Sequence, residues 1–395
     1  MTEFTTPPYD EWDDAQPYAM WARARRECPV VETPGNDWAP QPTFATTTFA
    51  DADRVLRDAE TFSASINGEV MAPFMGELML GLDGEEHRRY RSLVAQAFKR
   101  SSIERWKPEL VDAVLARLLD EIAPLGRADL VETITSKFPV QVICGIVGVP
   151  LEDHERFNAW AEQINFGPLN PDEGLAASAA MVEYLEPLVA ARRAEPTGDL
   201  LSELVHAEID GERLTDARLY GFLRLLLPAG AETTYRVFGS ALLALAGDTA
   251  LRDRVANDRS LVAALIEETL RWETSVTMVS RRATADTEIN GVAVPAGCPV
   301  TVYNGAANRD DERWPDAESF DIDREHVSHL AFGTGPHQCL GMHLARVELE
   351  AGVNAVLDRL PDLRLDPDEP APVIAGFAFR GPQTLPVAWT ATSGV

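Results

Sequence analysis

Basic residues are scarce in this chain of 395: Lys and Arg number 35 against 63 Asp and Glu, for a formal net charge of -28. Such a field repels phosphate backbones and anionic lipid surfaces, which disfavours nucleic acid and anionic membrane surfaces as partners. Long apolar runs are also missing. The longest, near Leu225 to Ala231, falls well short of the roughly 20 residues a bilayer demands. The acidic, polar opening Met1–Asp14 has neither the basic segment nor the apolar stretch of a signal peptide, so no leader or membrane anchor is expected. No Gly/Ser-rich or Pro-rich linker, low-complexity tract or internal repeat divides the sequence. One domain over residues 1–395 is therefore expected, although length alone would suggest two or three. A chain of this size buries roughly three quarters of its unfolded surface. Cysteine is sparse as well: Cys28, Cys144, Cys298 and Cys339 stand far apart, with neither paired metal-ligand spacing nor a disulfide framework. A reducing cytoplasm suits them.

One of the four sits in unusual company. The string His329-Leu-Ala-Phe-Gly-Thr-Gly-Pro-His-Gln-Cys-Leu-Gly341 surrounds Cys339 with glycines, whose missing Cβ lets the backbone bend sharply and approach a flat ligand. From about Met342 to Leu360 the pattern turns helical, with Leu344, Val347 and Ala351 at helical spacing. Cys339 thus lies near a helix N-terminus, where free N–H groups and the macrodipole favour a negative sulfur. That dipole contributes only about 0.3 to 2 kcal/mol, far less than burying a bare charge costs, so a metal is needed to hold the thiolate.

Three further stretches carry chemistry. Gly84 opens a helix in which His87 and Arg91, four apart, share one face suited to a dianionic ligand. A helical run from near Leu214-Thr215-Asp216 to near Gly247 is apolar on nearly every face and belongs in the interior. It contains Pro228-Ala-Gly-Ala-Glu-Thr-Thr234, where proline, glycine and back-bonding threonine predict local opening of the helix. An acid beside a hydroxyl there, Glu232 and Thr233, can hold water and relay protons. In Leu265-Ile-Glu-Glu-Thr-Leu-Arg271, Glu268 and Arg271 are spaced to pair on one helix face. Between Arg88 and Lys107 seven basic residues (Arg88, Arg89, Arg91, Lys99, Arg100, Arg105 and Lys107) face one acid, Glu104, a local inversion in an acidic chain. Complementary fields of this kind steer and orient partners. Asn290-Gly291 reads as a two-residue hairpin turn, and residues from about Pro108 to His206 read as amphipathic helices broken near Pro124, Pro150 and Gly167.

Taken together, Phe332-Gly333-x-Gly335-x-His337-x-Cys339-x-Gly341, the His87-x-x-x-Arg91 pair, Gly230-x-Glu232-Thr233 and Glu268-x-x-Arg271 resemble the motifs of the cytochrome P450 family, in the expected order along most of the chain. The resemblance implies a mainly α fold with small β-sheets, the family's triangular prism, with a long central helix over haem. It implies haem b held by Cys339 as axial ligand, with Phe332, Gly333, His337 and Gly341 in its loop, Gly230 on the distal side, and His87, Arg91 and Arg281 at the propionates. It casts Thr233 as the residue that steadies the oxygen being activated and Glu232 as the deliverer of protons. Glu268, Arg271 and Arg324 become a buried clamp behind the haem loop. The implied reaction is insertion of one atom of O2 into a C–H bond or an alkene, with electrons from NAD(P)H through a ferredoxin reductase and ferredoxin. The donor would dock near Arg88, Lys99, Arg100 and the Cys339 loop, on a cytoplasmic monomer. The segment from Ser63 to Leu80 would lie over the substrate, the turn from Asn165 to Glu173 would join two lid helices, and the pocket would draw on Met71, Phe74, Met75, Met79, Leu226, Ala229, Val276, Met278 and Phe377. These side chains are apolar, which points to a hydrophobic small molecule. Two alternatives stay open: a haem-thiolate peroxygenase, nitric oxide reductase or rearrangement catalyst, and a zinc knot built from His337, Cys339 and His343.

Overall fold

The structure, a computed structural model, describes residues 17–35, 41–325 and 327–391. The acidic opening Met1–Asp14 lies outside the described residues. The long helix occupies Asp216–Gly247, 32 residues, so at 1.5 Å per residue it crosses the molecule. Its start is set by Thr215, whose hydroxyl accepts from the Arg218 N–H at 3.2 Å, the role short hydroxyl side chains play at helix N-termini. It ends at Asp248, whose carboxylate turns to cap the next helix through the N–H groups of Ala250 and Leu251. Leu219, Leu223, Leu227, Val237, Phe238, Leu242 and Leu245 are all buried, because helices pack on most of its circumference.

The opening expected at Pro228–Thr234 does not occur: the helix stays α-helical through that stretch. Proline removes one N–H, and the Thr233 hydroxyl joins the Ala229 carbonyl at 2.9 Å within an unbroken helix. A single missing bond in a helix wedged between neighbours is too small a loss to open it.

The Met342–Arg359 helix crosses this one closely. A Cβ at Gly352 would fall 2.6 Å from the Phe238 ring, so only glycine permits the contact. A five-stranded sheet flanks the helices, in the order Val30–Thr33, Thr43–Thr46, Pro299–Val302, Val279–Ala283, Phe62–Ser63. Its pairings are antiparallel except Thr43–Thr46 with Pro299–Val302. The helix after Thr43–Thr46 is Phe49–Arg57, capped by Thr48, whose side chain accepts from the Asp51 N–H. Asn290 and Gly291 take φ of 48° and 79°, both left-handed as a tight hairpin requires. The segment over the core from Ser63 onward folds as a helix, Ser65–Met75, closed by Gly76 at φ 79°. No helix among the described residues is long and apolar enough to cross a membrane.

Candidate active site

The Cys339 loop is held in shape by backbone geometry. Gly333 and Gly335 sit at φ 61° and 71°, where a Cβ is strained. At Gly335 a Cβ would also strike the Leu56 carbonyl at 2.6 Å. The Cys339 N–H closes the loop on the Phe332 carbonyl at 2.8 Å. Cys339 is exposed, one turn ahead of the Met342–Arg359 helix, yet protein surrounds its sulfur on most sides. Burial pushes the thiol's pKa up, against the opposing pull of the Gly341 N–H, Arg91, Arg346 and the Met342 N–H. Added Cβ atoms at Gly333 and Gly341 would meet nothing within 4 Å, so the loop presents an open face. Arg346 lies over the Phe332 ring at 4.6 Å and pairs with Glu267 at 2.6 Å, which His329 also reaches at 3.2 Å.

Beside this loop the fold gathers four bases, His87, Arg91, Arg281 and His337, around one acid. The His87 and His337 rings lie 4.1 Å apart. His87 is 1% exposed and its Nε2 is buried without a hydrogen-bond partner. Arg281 is buried as well, and its bond is to the Ser280 carbonyl at 2.8 Å. Arg91 donates to the Gln338 carbonyl at 2.6 Å. The acid here is Asp83, 3.5 Å from His337, and it is engaged by Ser63 Oγ at 2.6 Å and the Ala64 N–H at 3.0 Å. Burial, together with Arg91, lowers the His87 pKa. Burial, His87 and Arg281 push His337 down to about 4, and burial lowers both Arg91 and Arg281. An orphaned buried imidazole nitrogen and two half-compensated guanidinium groups fit a ligand that brings two carboxylates, and haem is such a ligand.

On the central helix, Glu232 is bound at both oxygens. Arg236, one turn on, donates at 2.8 Å, and Asn165 Nδ2, at the end of the His154–Asn165 helix, donates at 2.8 Å. Nothing in the local sequence pointed to Asn165, because the two residues are 67 apart. Arg236 was within reach of sequence reasoning, since it follows Glu232 at i+4. Gly230 lies against Ile143, where a Cβ would come within 3.2 Å. Ala229 is exposed in an otherwise largely buried stretch.

The clamp residues converge. Arg271 and Glu268 are almost fully buried and pair at 2.7 Å through two parallel bonds. Arg271 also donates to the carbonyls of Asn308, Ala317 and Ser319, and Glu268 accepts from the Asp321 N–H at 2.8 Å. Arg324 stands further off, its Nε 3.5 Å from Glu268. Of the expected pocket residues, Met71, Val276 and Met278 are half-buried. Leu226 and Met79 are buried in the main core, Met75 is 2% exposed, and Phe74 is covered by Gly167 and Gly174. Phe377 packs between Trp21 and Tyr303, at 5.7 and 5.9 Å, in a separate aromatic core.

The basic stretch from Arg88 to Lys107 is largely neutralised by acids from elsewhere in the chain. Arg89 pairs with Glu212, Arg105 with Glu203 and Lys107 with Asp112, while Arg100 takes Glu104. Arg88 and Lys99 are exposed and lack an ion pair among the described residues. No group of three or more His, Cys, Asp or Glu side chains among the described residues is placed to hold a metal ion, so His337, Cys339 and His343 do not form the zinc knot.

Comparison with known proteins agrees with this architecture. The cytochrome P450 family model matches residues 176–376. The chain is 36% identical over 393 residues to the cytochrome P450 monooxygenase PikC of Streptomyces venezuelae, covering 95% of this chain and 91% of that one. It is 37% identical over 316 residues to the mycinamicin IV hydroxylase/epoxidase of Micromonospora griseorubida, covering 79% of each. Among solved structures, the cytochrome P450 PksS of the Bacillus subtilis bacillaene polyketide synthase superposes with a TM-score of 0.88 at 31% identity, covering 95% of this chain and 97% of that one. The mostly helical fold with small sheets and a cysteine-centred loop is that of a haem-thiolate enzyme. The chain belongs to the cytochrome P450 family and is a monooxygenase of that family.

Proposed function

We propose that this chain binds haem b and inserts one atom of O2 into a C–H bond or alkene of an apolar small molecule, a single-domain cytoplasmic monomer reduced by a ferredoxin-type donor. The observation that carries the reading is Cys339, an exposed thiol at a helix head with N–H groups turned to it and a cradle of four bases around one acid alongside. Cys339 would hold the iron, and His87, Arg91, His337 and Arg281 would hold the two carboxylates. When bound, the haem supplies the activation of O2 with electrons that originate in NAD(P)H. The chain's own part is to orient substrate, exclude water and manage protons. Thr233 bonds to its helix at rest, so its hydroxyl must turn away from Ala229 to steady the oxygen, and Glu232 stands next to it as the proton reservoir.

Exposed Ala229 and half-buried Met71, Val276 and Met278 favour an apolar substrate. Relatives named for hydroxylating or epoxidising mycinamicin IV, and for a bacillaene polyketide synthase, support a polyketide-like molecule. Arg88 and Lys99, with Arg100 beside them in a weak exposed pair, would meet the acidic donor next to the Cys339 loop.

The test is the absorption of the reduced protein under carbon monoxide. A thiolate-ligated haem gives a strongly red-displaced Soret band, and Cys339→Ser should abolish it while leaving the circular dichroism of the fold in place. A wild-type protein that binds porphyrin without that band, or extracts no porphyrin, would overturn the reading.

A further inference from the structure

We propose that the Glu267–Arg346 ion pair beside the Cys339 loop sets the reduction potential of the iron that Cys339 holds: Arg346 raises it, and Glu267 limits how much of that charge the sulfur feels. The consequence for the iron rests on the haem-thiolate reading above; the ion pair itself does not.

The pair is tied to the sulfur through Phe332. Arg346, early in the Met342–Arg359 helix, makes two parallel bonds to Glu267, Nε to Oε1 at 2.6 Å and Nη2 to Oε2 at 2.9 Å. Its guanidinium carbon lies 4.6 Å from the centre of the Phe332 ring, and the Phe332 carbonyl accepts the Cys339 N–H at 2.8 Å. The cation is therefore packed on the residue that closes the sulfur's loop. Glu267 comes from the Val262–Trp272 helix and directly precedes Glu268, whose two bonds to Arg271 fix that part of the chain. His329 Nε2 lies 3.2 Å from Glu267 Oε2, so the acid is held from a third side. The two side chains of the pair are 15% and 30% exposed, which limits screening by solvent.

Two cations oppose the burial that disfavours the Cys339 thiolate, Arg91 and Arg346. Arg91 is engaged by the Gln338 carbonyl and belongs to the cradle for the two carboxylates. Arg346 has no part in that cradle, and its bond to Glu267 favours its charged form, with Cys339 adding to the effect. Reduction of the iron adds one negative charge, so a neighbouring cation favours it and a neighbouring anion opposes it; groups around a metal's ligand tune potentials in this way. Loss of Arg346 and loss of Glu267 must therefore act in opposite directions. A unit charge about 10 Å away at an effective dielectric of about 20 shifts an equilibrium by on the order of tenfold, which is about 59 mV for one electron.

The test is an anaerobic redox titration of the haem-loaded full chain without substrate, read by absorption. Arg346→Met should shift the equilibrium about tenfold toward the oxidised form, a fall of about 59 mV. Glu267→Gln should shift it about threefold the other way, the double variant should lie within about twofold of wild type, and Arg346→Lys, which keeps the charge, should retain most of the wild-type value. A loop that is merely loosened would move Arg346→Met and Glu267→Gln in the same direction. Shifts of the same sign, or shifts below twofold in both, would overturn the proposal. Should Arg346→Met take up no haem, Glu267→Gln decides: a potential unmoved or lowered there overturns it. The carbon monoxide band of the wild type is recorded first. If that band is absent, the fault lies with the haem-thiolate reading, and urea unfolding of the haem-free protein judges the pair alone: Glu267→Gln and Arg346→Met should be coupled by about fivefold in the folding equilibrium, and independent addition would overturn the pair.

Discussion

Replacing Arg271 by Met tests how the loop around Cys339 is supported. In the native protein its guanidinium makes two bonds to Glu268 at 2.7 Å and one each to Asn308, Ala317 and Ser319 at 2.9, 2.8 and 3.0 Å. Methionine fills the volume but removes every donor, leaving the buried carbonyls of Asn308 and Ala317 without it, the Ser319 carbonyl to Arg324 alone, and a carboxylate with the Asp321 N–H and a guanidinium at 3.5 Å as its remaining neighbours. Breaking a buried pair in this way costs about 3–5 kcal/mol. Arg324→Met should cost only about 1 kcal/mol, because its Nε has no hydrogen bond and its other donors reach carbonyls at the surface. Glu268→Gln combined with Arg271→Met should cost clearly less than the sum of the singles, since no buried carboxylate is then left without its main partner. Urea unfolding of the haem-free protein measures these losses without overlap from cofactor release. An Arg271→Met loss below about 1 kcal/mol, or one no larger than that of Arg324→Met, would refute the view of Arg271 as the centre of the clamp.

Charge reversal at Arg88 and Lys99 should lower the rate of reduction by an acidic ferredoxin by about tenfold at low ionic strength and flatten its salt dependence. Reversal at Arg89, Arg105 or Lys107, already paired in the fold, should do much less, and stopped-flow reduction across a salt series distinguishes the two sets. Stability should also fall on the acid side through Glu267. Burial raises its pKa, but Arg346 and His329 outweigh burial and hold it well below the usual carboxylate range. A carboxyl depressed in the fold stabilises it above the unfolded value of about 4.3 and loses that contribution as the pH falls. Glu267→Gln should therefore be less stable than wild type at neutral pH, with the gap beginning to narrow as the pH falls below about 4.3, as read from urea midpoints between pH 7 and 3.

Motifs whose members lie within a few residues of each other were legible from spacing: the Cys339 loop, the i+3 pair Glu268–Arg271, the Asn290-Gly291 turn and the span of the central helix. Partners supplied by distant chain were not. The stretch from Arg88 to Lys107 looks like a strong positive patch because its neutralising acids, Glu203 and Glu212, arrive from about 100 residues away. Phe377 is apolar and close to a β-turn, which reads as a pocket residue, but Trp21 and Tyr303 take it into a core that no local pattern reveals. The opening expected at Pro228–Thr234 failed for a related reason: propensity describes an isolated helix, and this one is enclosed by neighbours that hold it straight.

The two sides of the site are built with different bonds. On the clamp side, the fold relies on buried ionic groups with several hydrogen bonds, as at Arg271, whose partners include the carbonyl of Asn308, the residue whose side chain also accepts from the Leu330 N–H. Such groups fix one geometry, because any displacement strands a charge. Over the central helix, the covering helices rest on glycine-to-phenylalanine packing at Gly167 and Gly174 and on single polar links of the Asn165 kind. Packing of that sort can slide and re-form at small cost. On the function proposed above, a rigid seat for the sulfur with an exchangeable cover would admit apolar molecules of varied outline to one reacting centre, so substitutions at Phe74 or Gly167 should change which substrates bind while leaving the spectrum of the haem unchanged.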